Sequence, residues 1–269
     1  MPENDRLQGG LRAKRLFDKK SLPGKPLVSI ITVCRNSEKT LEQTIISVIN
    51  QAYDNIEYII IDGASTDGTL NIIRKYEDKL AYWVSEHDNG IYDAMNKGVT
   101  VSTGDYINFM NSDDLFYDMN VVCSSMREAE GDIDIIYGNT LLRFPRGSKI
   151  TVKALPIKRI MFRLPAHHQS LFCNKVLFEE YGAFDSSMRI AADLEWFIRI
   201  LRKKTLRVCK LDKYISSYSI GGISHKYKLI AYKETLRAVN KHYGLKAATE
   251  YLLRLLAANG WIFTWSLSK

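Results

Sequence analysis

Cysteine is scarce in this chain of 269 residues, and the four that occur are widely spaced. The absence of any CxxC pair argues against a structural zinc site, and the wide spacing argues against a disulfide framework. This cysteine usage is typical of a protein from a reducing cytoplasm. The four residues are Cys34, Cys123, Cys173 and Cys209.

Long apolar runs are also missing. No stretch reaches the roughly 18 uninterrupted apolar residues of a membrane-spanning helix, and the charged N-terminus lacks the apolar core of a signal peptide. We therefore expect a soluble, cytoplasmic protein. The net charge of +8 favours an anionic partner, such as a sugar nucleotide, a nucleic acid or the inner face of the plasma membrane, where contact would be peripheral.

Internal repeats and low-complexity tracts are absent, and 46% hydrophobic with 25% charged residues is an ordinary globular composition. We divide the chain into a basic N-terminal arm (1–25), a main domain (26–225) and a basic helical tail (226–269). The arm is expected to be a loose solvated segment or a short amphipathic helix on anionic lipid. Near the end of the tail, Trp261 and Trp265 either pack on the main domain or lie at a membrane surface.

Short apolar runs alternate with helical patterns between residues 26 and 120, and this alternation predicts a doubly wound, mostly parallel α/β sheet. Between residues 121 and 225 the pattern is weaker. In the first part, strands are predicted at 27–33, 56–62, 81–85 and 105–110, with helices at 41–51, 70–76 and 90–101. In the second part, strands are predicted at 133–138, 141–144 and 149–152, with helices at 174–181 and 189–201.

Polar residues stand where the predicted strands of the first part end. Right-handed crossovers bring such ends to one edge of a sheet, which is where open α/β sheets bind their ligands. The adjacent carboxylates of Asp113 and Asp114 suit a hard divalent cation, although a simple turn is an alternative for this segment. The residues expected at the edge are Asn36, Asp62, Asp88 and Asp113.

Four motifs, in this order and spacing, resemble the inverting glycosyltransferases of family 2, as found in bacterial surface-polysaccharide synthesis. They are VSIITVCRN from residue 28, DGASTDGT from residue 62, GIYDAMNKG from residue 90, and GDYI from residue 104 with NSDD from residue 111. The resemblance is strong over residues 27–120 and thinner to about residue 225. It implies the GT-A fold, a Rossmann-like α/β sheet, here with a helical C-terminal extension.

The resemblance implies a nucleotide-sugar donor, usually a uridine diphosphate sugar, bound along residues 26–120. Asp62 would accept the ring N–H of the base, since a carboxylate only accepts hydrogen bonds; its alternative role is a helix cap. Lys97 would replace a phosphate-binding arginine, because Met95 stands where several relatives carry one, and Asp93 alternatively caps its helix. The donor-binding candidates are Thr32, Asn36, Asp62, Asp88, Asp93, Asn96, Lys97 and Asp113.

The metal site implied by the resemblance centres on the NSDD segment. Asp114 would bind Mn²⁺ or Mg²⁺, and Asp113 would bind the same ion or the ribose of the donor. Asn111 stands where many relatives carry the first acid of the DxD motif, so one carboxylate ligand is lost. His225 resembles the C-terminal histidine that completes the metal shell in several such enzymes.

Asp193 falls where the family places its catalytic base, near the start of a helix. An inverting transferase needs one base to take the proton of the attacking acceptor hydroxyl. A helix cap is the alternative role for Asp193, and Ala192 stands where many relatives carry a glutamate. The acceptor half, 121–225, holds three candidate acceptor contacts, which are His168, Glu195 and Arg199.

We therefore expect a metal-assisted enzyme that transfers a sugar to a hydroxyl of a glycan or lipid-linked acceptor. A non-catalytic transferase-like binding subunit is the alternative from another class. A sugar nucleotidyltransferase is less favoured, because such enzymes normally carry a glycine-rich, arginine-containing loop where this chain has Cys34-Arg35-Asn36-Ser37. Nucleic-acid binding is not expected, because the basic residues are scattered and no stacking platform is evident.

Overall fold

The computed structural model describes residues 6–129, 131–144, 147–157, 163–221 and 226–258. The strands in these ranges are β1 (Leu7–Gly9), β2 (Val28–Cys34), β3 (Ile56–Asp62), β4 (Tyr82–Ser85), β5 (Tyr106–Phe109), β6 (Leu115–Phe116), β7 (Ile135–Arg143), β8 (Lys149–Val152), β9 (Leu171–Asn174) and β10 (Val208–Ser219). The helices are α1 (Leu41–Ile49), α2 (Thr69–Lys75), α3 (Ile91–Val101), α4 (Val121–Glu128), α5 (Val176–Tyr181), α6 (Ala192–Leu201), α7 (Lys228–Tyr243) and α8 (Leu245–Ala258).

One mixed sheet runs through the molecule in the order β1-β4-β3-β2-β5-β9-β7-β10-β6, with β8 beside β7. Its centre, β4-β3-β2-β5, is parallel. The chain moves from β2 outward to β3 and β4, then returns to place β5 on the other side of β2. This reversal makes the carboxyl ends of β2 and β5 the switch point, where open α/β sheets bind ligands.

The central strands are buried on both faces. Every residue of β2 and β3 is buried, as expected of parallel strands covered by helices on each side. Alternate residues enter two separate cores: Ile31 and Ile59 pack in one, and Ile30 and Ile60 pack in the other. The prediction of an α/β sheet with a parallel centre is therefore confirmed.

Residues 6–25 of the N-terminal arm contradict both expectations, because they are neither loose nor helical. Residues Leu7–Gly9 form β1, which pairs antiparallel with the edge strand β4. Beyond the strand, Arg12 forms an ion pair with the buried carboxylate of Glu57 and donates a hydrogen bond to the carbonyl of Val101. The need to pair a buried carboxylate explains why this basic segment is held against the domain.

The second half of the main domain differs in detail from its prediction. The two strands expected at 133–138 and 141–144 are one continuous strand, β7. The long strand β10 was not predicted, because its sequence is mostly polar and its exposure is mixed.

The described part of the tail, 226–258, is helical, as expected, and α7 packs against the domain: Ala238 and Val239 are fully buried in the core that also contains α6. Trp261 and Trp265 lie outside the described residues. Within the ranges described, no helix combines the length and the apolarity needed to cross a bilayer.

Candidate active site

A cleft of about 1290 Å³ opens at the switch point of the sheet. One wall is formed by the segments that follow β2 and β5, together with the start of α3. The rest of the lining comes from residues 163–169, from the loop that leads into α6 and from α7. Of the predicted site residues, the cleft is lined by Asn36, Asp88, Asp113, Asp114, His168 and Asp193.

The turn after β5 holds Asp114 in a fully buried position. Its Oδ1 accepts a hydrogen bond from the backbone N–H of Ser219 at 2.9 Å, and its Oδ2 accepts one from Nε2 of Gln169 at 2.5 Å. Burial, and next the charge of the neighbouring Asp113, raise the pKa of Asp114 to about 7. Burial also raises the pKa of Asp113. These adjacent carboxylates, one buried and one half-buried, are therefore costly to ionise together unless a cation joins them.

The donor set of this turn fits a hard divalent ion. Besides the two carboxylates, the Oδ1 atom of Asn111 is buried with no hydrogen-bond partner among the described residues. Mg²⁺ typically takes one or two protein carboxylates and completes its shell with phosphate oxygens and water. The described residues contain no group of three or more His, Cys, Asp or Glu side chains arranged for a metal, and His225 lies outside them.

Asp193 lies in the first turn of α6 and faces the cleft. The hydroxyl of Tyr92 lies 3.0 Å from its Oδ1 and 2.7 Å from the carbonyl oxygen of Ile190. The backbone N–H of Leu194 also donates to Oδ1, at 2.8 Å. Burial, and next the charge of Asp193, raise the pKa of Tyr92 well above its usual value. Tyr92 therefore keeps its proton and holds one oxygen of Asp193, while the other oxygen remains available.

His168 connects the turn after β5 to Asp193. Its Nδ1 lies 3.4 Å from Oδ2 of Asp193, and its Nε2 lies 2.9 Å from Nδ2 of Asn111. Because an amide nitrogen only donates, Nε2 is the acceptor in this arrangement, and the proton of the neutral ring is on Nδ1, the nitrogen nearer Asp193. Asn111 thus orients the histidine instead of supplying a third carboxylate.

The predicted donor residues at the other strand ends differ in their access to the cleft. Asn36 lines it in the left-handed backbone region, with φ of 51°, and its Oδ1 accepts from the N–H of Thr66 at 2.8 Å. Asp88 lines it as well and accepts from the N–H of Gly90 at 2.9 Å. Asp62 is fully buried behind the cleft wall, with its oxygens engaged by Ser65 and Ser85.

Four further donor candidates are not among the lining residues of the cleft, and their donor contacts stay predictions. Thr32 is buried inside β2, where its hydroxyl lies 3.1 Å from that of Tyr58. The other three belong to α3 and are engaged by neighbouring segments: Asn96 exchanges two hydrogen bonds with the backbone of Phe184. Lys97 forms an ion pair at 2.9 Å with Glu86, and Asp93 accepts from the N–H of Asn89.

Two acceptor candidates also lie away from the cleft. Glu195 is fully buried and joins α6 to α7, with Nε2 of His242 at 2.7 Å and Nζ of Lys241 at 3.1 Å. Arg199 pairs with the same carboxylate at 3.1 Å. Burial raises the pKa of Glu195, but the His242 hydrogen bond and the two cations outweigh it and lower that pKa overall. Glu195 thus fastens α7 to α6, and Arg199 joins that carboxylate to the backbone of Tyr181 and Ala183.

Several residues of the site were not selected from the sequence. Tyr92 stands within one of the quoted motifs, and Gln169 follows His168 directly, so a signal existed for both. Glu234 of α7 accepts hydrogen bonds from the loop before α6, and no sequence pattern marks it. Arg163 and Arg189 also line the cleft.

Comparison with known proteins decides the family. Residues 29–183, more than half of the chain, match the family model described as glycosyl transferase family 2. The chain belongs to this family. It is a glycosyltransferase, as the motifs predicted, and the family assignment places its chemistry in the transfer of a sugar.

Named relatives agree with this assignment. A PGL/p-HBAD biosynthesis glycosyltransferase of Mycobacterium bovis (strain BCG / Pasteur 1173P2) is 30% identical over 210 residues, covering 74% of this chain and 80% of the relative. An uncharacterized glycosyltransferase of Mycobacterium tuberculosis (strain ATCC 25618 / H37Rv) is 32% identical over 203 residues, covering 70% and 75%.

Solved structures confirm the GT-A fold of this family 2 enzyme. S. aureus TarS 1–349 in complex with UDP-GlcNAc superposes with a TM-score of 0.67 at 18% identity, covering 87% of this chain and 74% of that one. The mannosyltransferase PcManGT from Pyrobaculum calidifontis, in complex with GDP-Man and Mn²⁺, superposes with a TM-score of 0.60 at 17% identity, covering 92% and 81%. At these identities the likeness carries the fold and nothing finer.

Proposed function

We propose that this glycosyltransferase moves a sugar, with inversion, from a nucleotide diphosphate donor, in the first instance a UDP-sugar, to a hydroxyl of a glycan or lipid-linked acceptor. The single observation that carries the proposal is the placement of Asp193. Its carboxylate lines the same cleft as Asp113 and Asp114 and is joined to their turn through His168 and Asn111. Direct displacement requires a base for the acceptor and a site for the leaving diphosphate in one cleft. Here the acidic turn would bind the diphosphate through a divalent cation.

The donor would lie along the wall formed by the strand ends. Asn36 and Asp88 offer polar contacts on that wall, and Arg35 and Lys39 add positive charge beside them, which suits the diphosphate. Asp62 is retained as the candidate for base recognition, although its carboxylate would have to exchange its present serine partners for the base. Asp114 and Asp113 would hold Mn²⁺ or Mg²⁺, which when bound supplies charge neutralisation for the leaving diphosphate.

Asp193 would act as the general base. Its carboxylate accepts the proton of the acceptor hydroxyl as that oxygen bonds to the anomeric carbon, and the bond to the diphosphate breaks with its electron pair leaving on phosphate. The attack comes from the face opposite the leaving group, so one carboxylate suffices for the acceptor. Tyr92 and Leu194 hold Oδ1, so the base is oriented before the acceptor binds, and Oδ2 lies 3.4 Å from Nδ1 of His168.

The acceptor side of the cleft is apolar and positively charged. Leu155, Leu164 and Ile190 line it together with Arg163 and Arg189. In the described part of the chain neither arginine forms an ion pair. This lining favours an acceptor that carries both an apolar group and negative charge, as a lipid-linked phosphate does.

The C-terminal helices support peripheral contact with an anionic membrane. Leu229 and Leu245 are more than 70% exposed at the beginnings of α7 and α8, and exposed lysines such as Lys228 and Lys246 stand next to them. Each basic residue near an anionic surface contributes about 1 kcal/mol to binding. We expect the protein to co-sediment with phosphatidylglycerol vesicles at low salt and not with phosphatidylcholine vesicles. Equal binding to the two kinds of vesicle, or binding to neither, would contradict this expectation.

Donor turnover tests the central proposal. A panel of nucleotide sugars is incubated with the protein in Mn²⁺ and in chelator, and both binding and slow hydrolysis are followed. We expect metal-dependent turnover of one donor, abolished by Asp114→Asn and reduced at least a hundredfold by Asp193→Asn. A folded protein that binds no donor would contradict the proposal and favour a non-catalytic binding subunit.

A further inference from the structure

Three consecutive backbone N–H groups converge on one carboxylate outside the loop that contains them. The N–H of Arg189 donates to Oε1 of Glu234 at 2.7 Å, and those of Ile190 and Ala191 donate to Oε2 at 2.8 and 3.0 Å. Glu234 belongs to α7, more than forty residues later in the chain. A carboxylate with three such donors is firmly placed, because hydrogen bonds to charged groups are stronger than neutral ones.

The loop held by Glu234 leads directly into the helix of the proposed base. Ala191 is the residue that caps the start of α6, and its own side chain makes no capping hydrogen bond. Glu234 therefore supplies from α7 the negative charge that the N-terminus of α6 otherwise lacks at its cap. Asp193 is the second residue of α6, so fixing this end of the helix fixes the backbone of the base.

A second contact couples the same loop to the carboxylate of Asp193. The hydroxyl of Tyr92 is shared between the carbonyl of Ile190 and Oδ1 of Asp193. A movement of the loop away from Glu234 would displace the Ile190 carbonyl. The Tyr92 hydroxyl could then keep its hydrogen bond to Ile190 or to Asp193, but not to both. The position of the base therefore depends on Glu234 through both the helix and Tyr92.

We propose that Glu234 is a positioning residue for catalysis, which holds the Arg189–Ala191 loop and thereby sets the orientation of the Asp193 carboxylate. The inference rests on the proposed function, in which Asp193 is the base. It makes the C-terminal helix α7, which lies beyond the segment matched by the family model, part of the catalytic apparatus. Ala231, about one turn before Glu234, and Thr235, the next residue, line the cleft directly.

Fastening of α7 to the domain does not depend on Glu234 alone. The buried carboxylate of Glu195 on α6 binds Lys241 and His242 two turns further along α7, and Val239 is buried between them. Removing the charge of Glu234 should therefore leave α7 docked while releasing the loop. This separation allows positioning to be distinguished from general support of the fold.

The test substitutes Glu234→Gln, which keeps the side-chain length but turns an N–H₂ group toward the N–H donors. The matched control is Glu250→Gln on α8, where the carboxylate forms an exposed pair with Arg254. With the donor that the wild-type protein hydrolyses, we expect Glu234→Gln to lower kcat about tenfold, since small displacements of a catalytic group have effects of this size or larger. The KM for the donor should not change, and the control should match the wild type.

A double-mutant cycle identifies the route of the effect. If Glu234 acts through Asp193, adding Glu234→Gln to Asp193→Asn should cost no further activity, because the base is already lost. If the second substitution instead lowers kcat by the same factor in both backgrounds, Glu234 has only a general structural role and the proposal is overturned. An unchanged kcat in the single variant overturns it as well.

Hydrogen exchange tests the contact without any turnover. We expect the amides of residues 189–191 to exchange faster in Glu234→Gln, at an unchanged melting temperature, and Glu250→Gln to show no such change. Equal exchange in both variants would show that Glu234 does not hold the loop. If the wild-type protein turns over no donor, the proposed function fails while the exchange result still decides whether the contact exists.

Discussion

His168 and Asp193 lie side by side in the lining of the cleft, with Nδ1 of the histidine 3.4 Å from Oδ2 of the aspartate. The residues are 25 positions apart, and each belongs to a different element: His168 begins the short helical turn before β9, and Asp193 lies at the start of α6. On its other side His168 contacts Asn111, in the turn that carries Asp113 and Asp114. The histidine thus links the proposed base to the proposed diphosphate-binding turn.

Replacement of this histidine should impair turnover more than donor binding. We expect His168→Phe to lower kcat for donor hydrolysis about 10- to 100-fold, because Asp193 loses the polar neighbour beside Oδ2 and its connection to Asn111. The donor KM should change less than threefold. The exposed His87→Phe serves as the control, and equal kcat values for both variants would show that the contact with Asp193 has no catalytic value.

Tyr92 should matter through its hydroxyl alone. In Tyr92→Phe, the ring keeps its place in the core beside Phe184, but Asp193 and the Ile190 carbonyl lose a shared donor. We expect kcat to fall about tenfold and the free energy of unfolding to fall by about 1–2 kcal/mol. Steady-state kinetics and urea unfolding measure the two effects. Tyr117→Phe, at an exposed tyrosine, is the control and should change neither value.

The ionised carboxylate of Asp114 should lower the stability of the metal-free protein at alkaline pH. Its folded pKa is raised to about 7 by burial and by Asp113, so the folded state binds this proton more tightly than the unfolded state does. Its stabilising contribution is full below the unfolded value near 4 and is lost as the pH rises through about 7.

Asp114→Asn should therefore stabilise the metal-free protein while abolishing activity. The new amide can donate to Oε1 of Gln169, a buried oxygen without a described partner. We expect the free energy of unfolding to rise by about 1–3 kcal/mol at pH 8 in chelator and to change little at pH 4, where the wild-type aspartate is also protonated. Urea unfolding at both pH values measures the difference, and the exposed Asp78→Asn should show none. A gain of equal size at both pH values would contradict the role of the Asp114 charge.

The first half of the fold could be predicted from the sequence because its physics is local. Strands β2 and β3 are short, apolar and buried along their whole length, and polar residues mark their ends. For the same reason the positions of Asp88, Asp113 and Asp193 at the cleft could be predicted. The end of a strand or the start of a helix determines where its side chain lies. Strand β10 escaped prediction because its mixed, mostly polar sequence is stabilised by pairing with β7 and β6 rather than by full burial.

Site residues that depend on rotation or on distant partners could not be predicted in this way. Asn96 and Lys97 follow the cleft-lining Tyr92 by about one turn of α3, yet the helix directs them toward Phe184 and Glu86. Sequence spacing places residues on a helix but does not set which side the helix presents to the sheet. Glu234, which accepts the hydrogen bonds of residues 189–191, is more than forty residues away on α7. No local motif indicates this contact.

The N-terminal arm supplies the last prediction, because Arg12 pairs with a carboxylate that has no access to water. Glu57 is fully buried, and its oxygens also accept hydrogen bonds from Ser29 and from the backbone and hydroxyl of Thr103. Removing only the cation leaves a buried charge without its counterion, which typically costs about 3–5 kcal/mol. We expect Arg12→Met to lower the free energy of unfolding by that amount in urea denaturation. Lys14→Met, which breaks only a surface pair with Glu77, should cost less than about 1 kcal/mol.

Neutralising both partners should restore much of the stability. In Arg12→Met with Glu57→Gln, the buried group is no longer charged, and its oxygen can still accept from Ser29 or Thr103. We expect the double variant to be more stable than Arg12→Met alone, which is the signature of an uncompensated charge rather than of lost packing. If Arg12→Met lowers the free energy of unfolding no more than Lys14→Met does, the arm contributes little to stability. Glu57 would then be stabilised by its hydroxyl and amide partners alone.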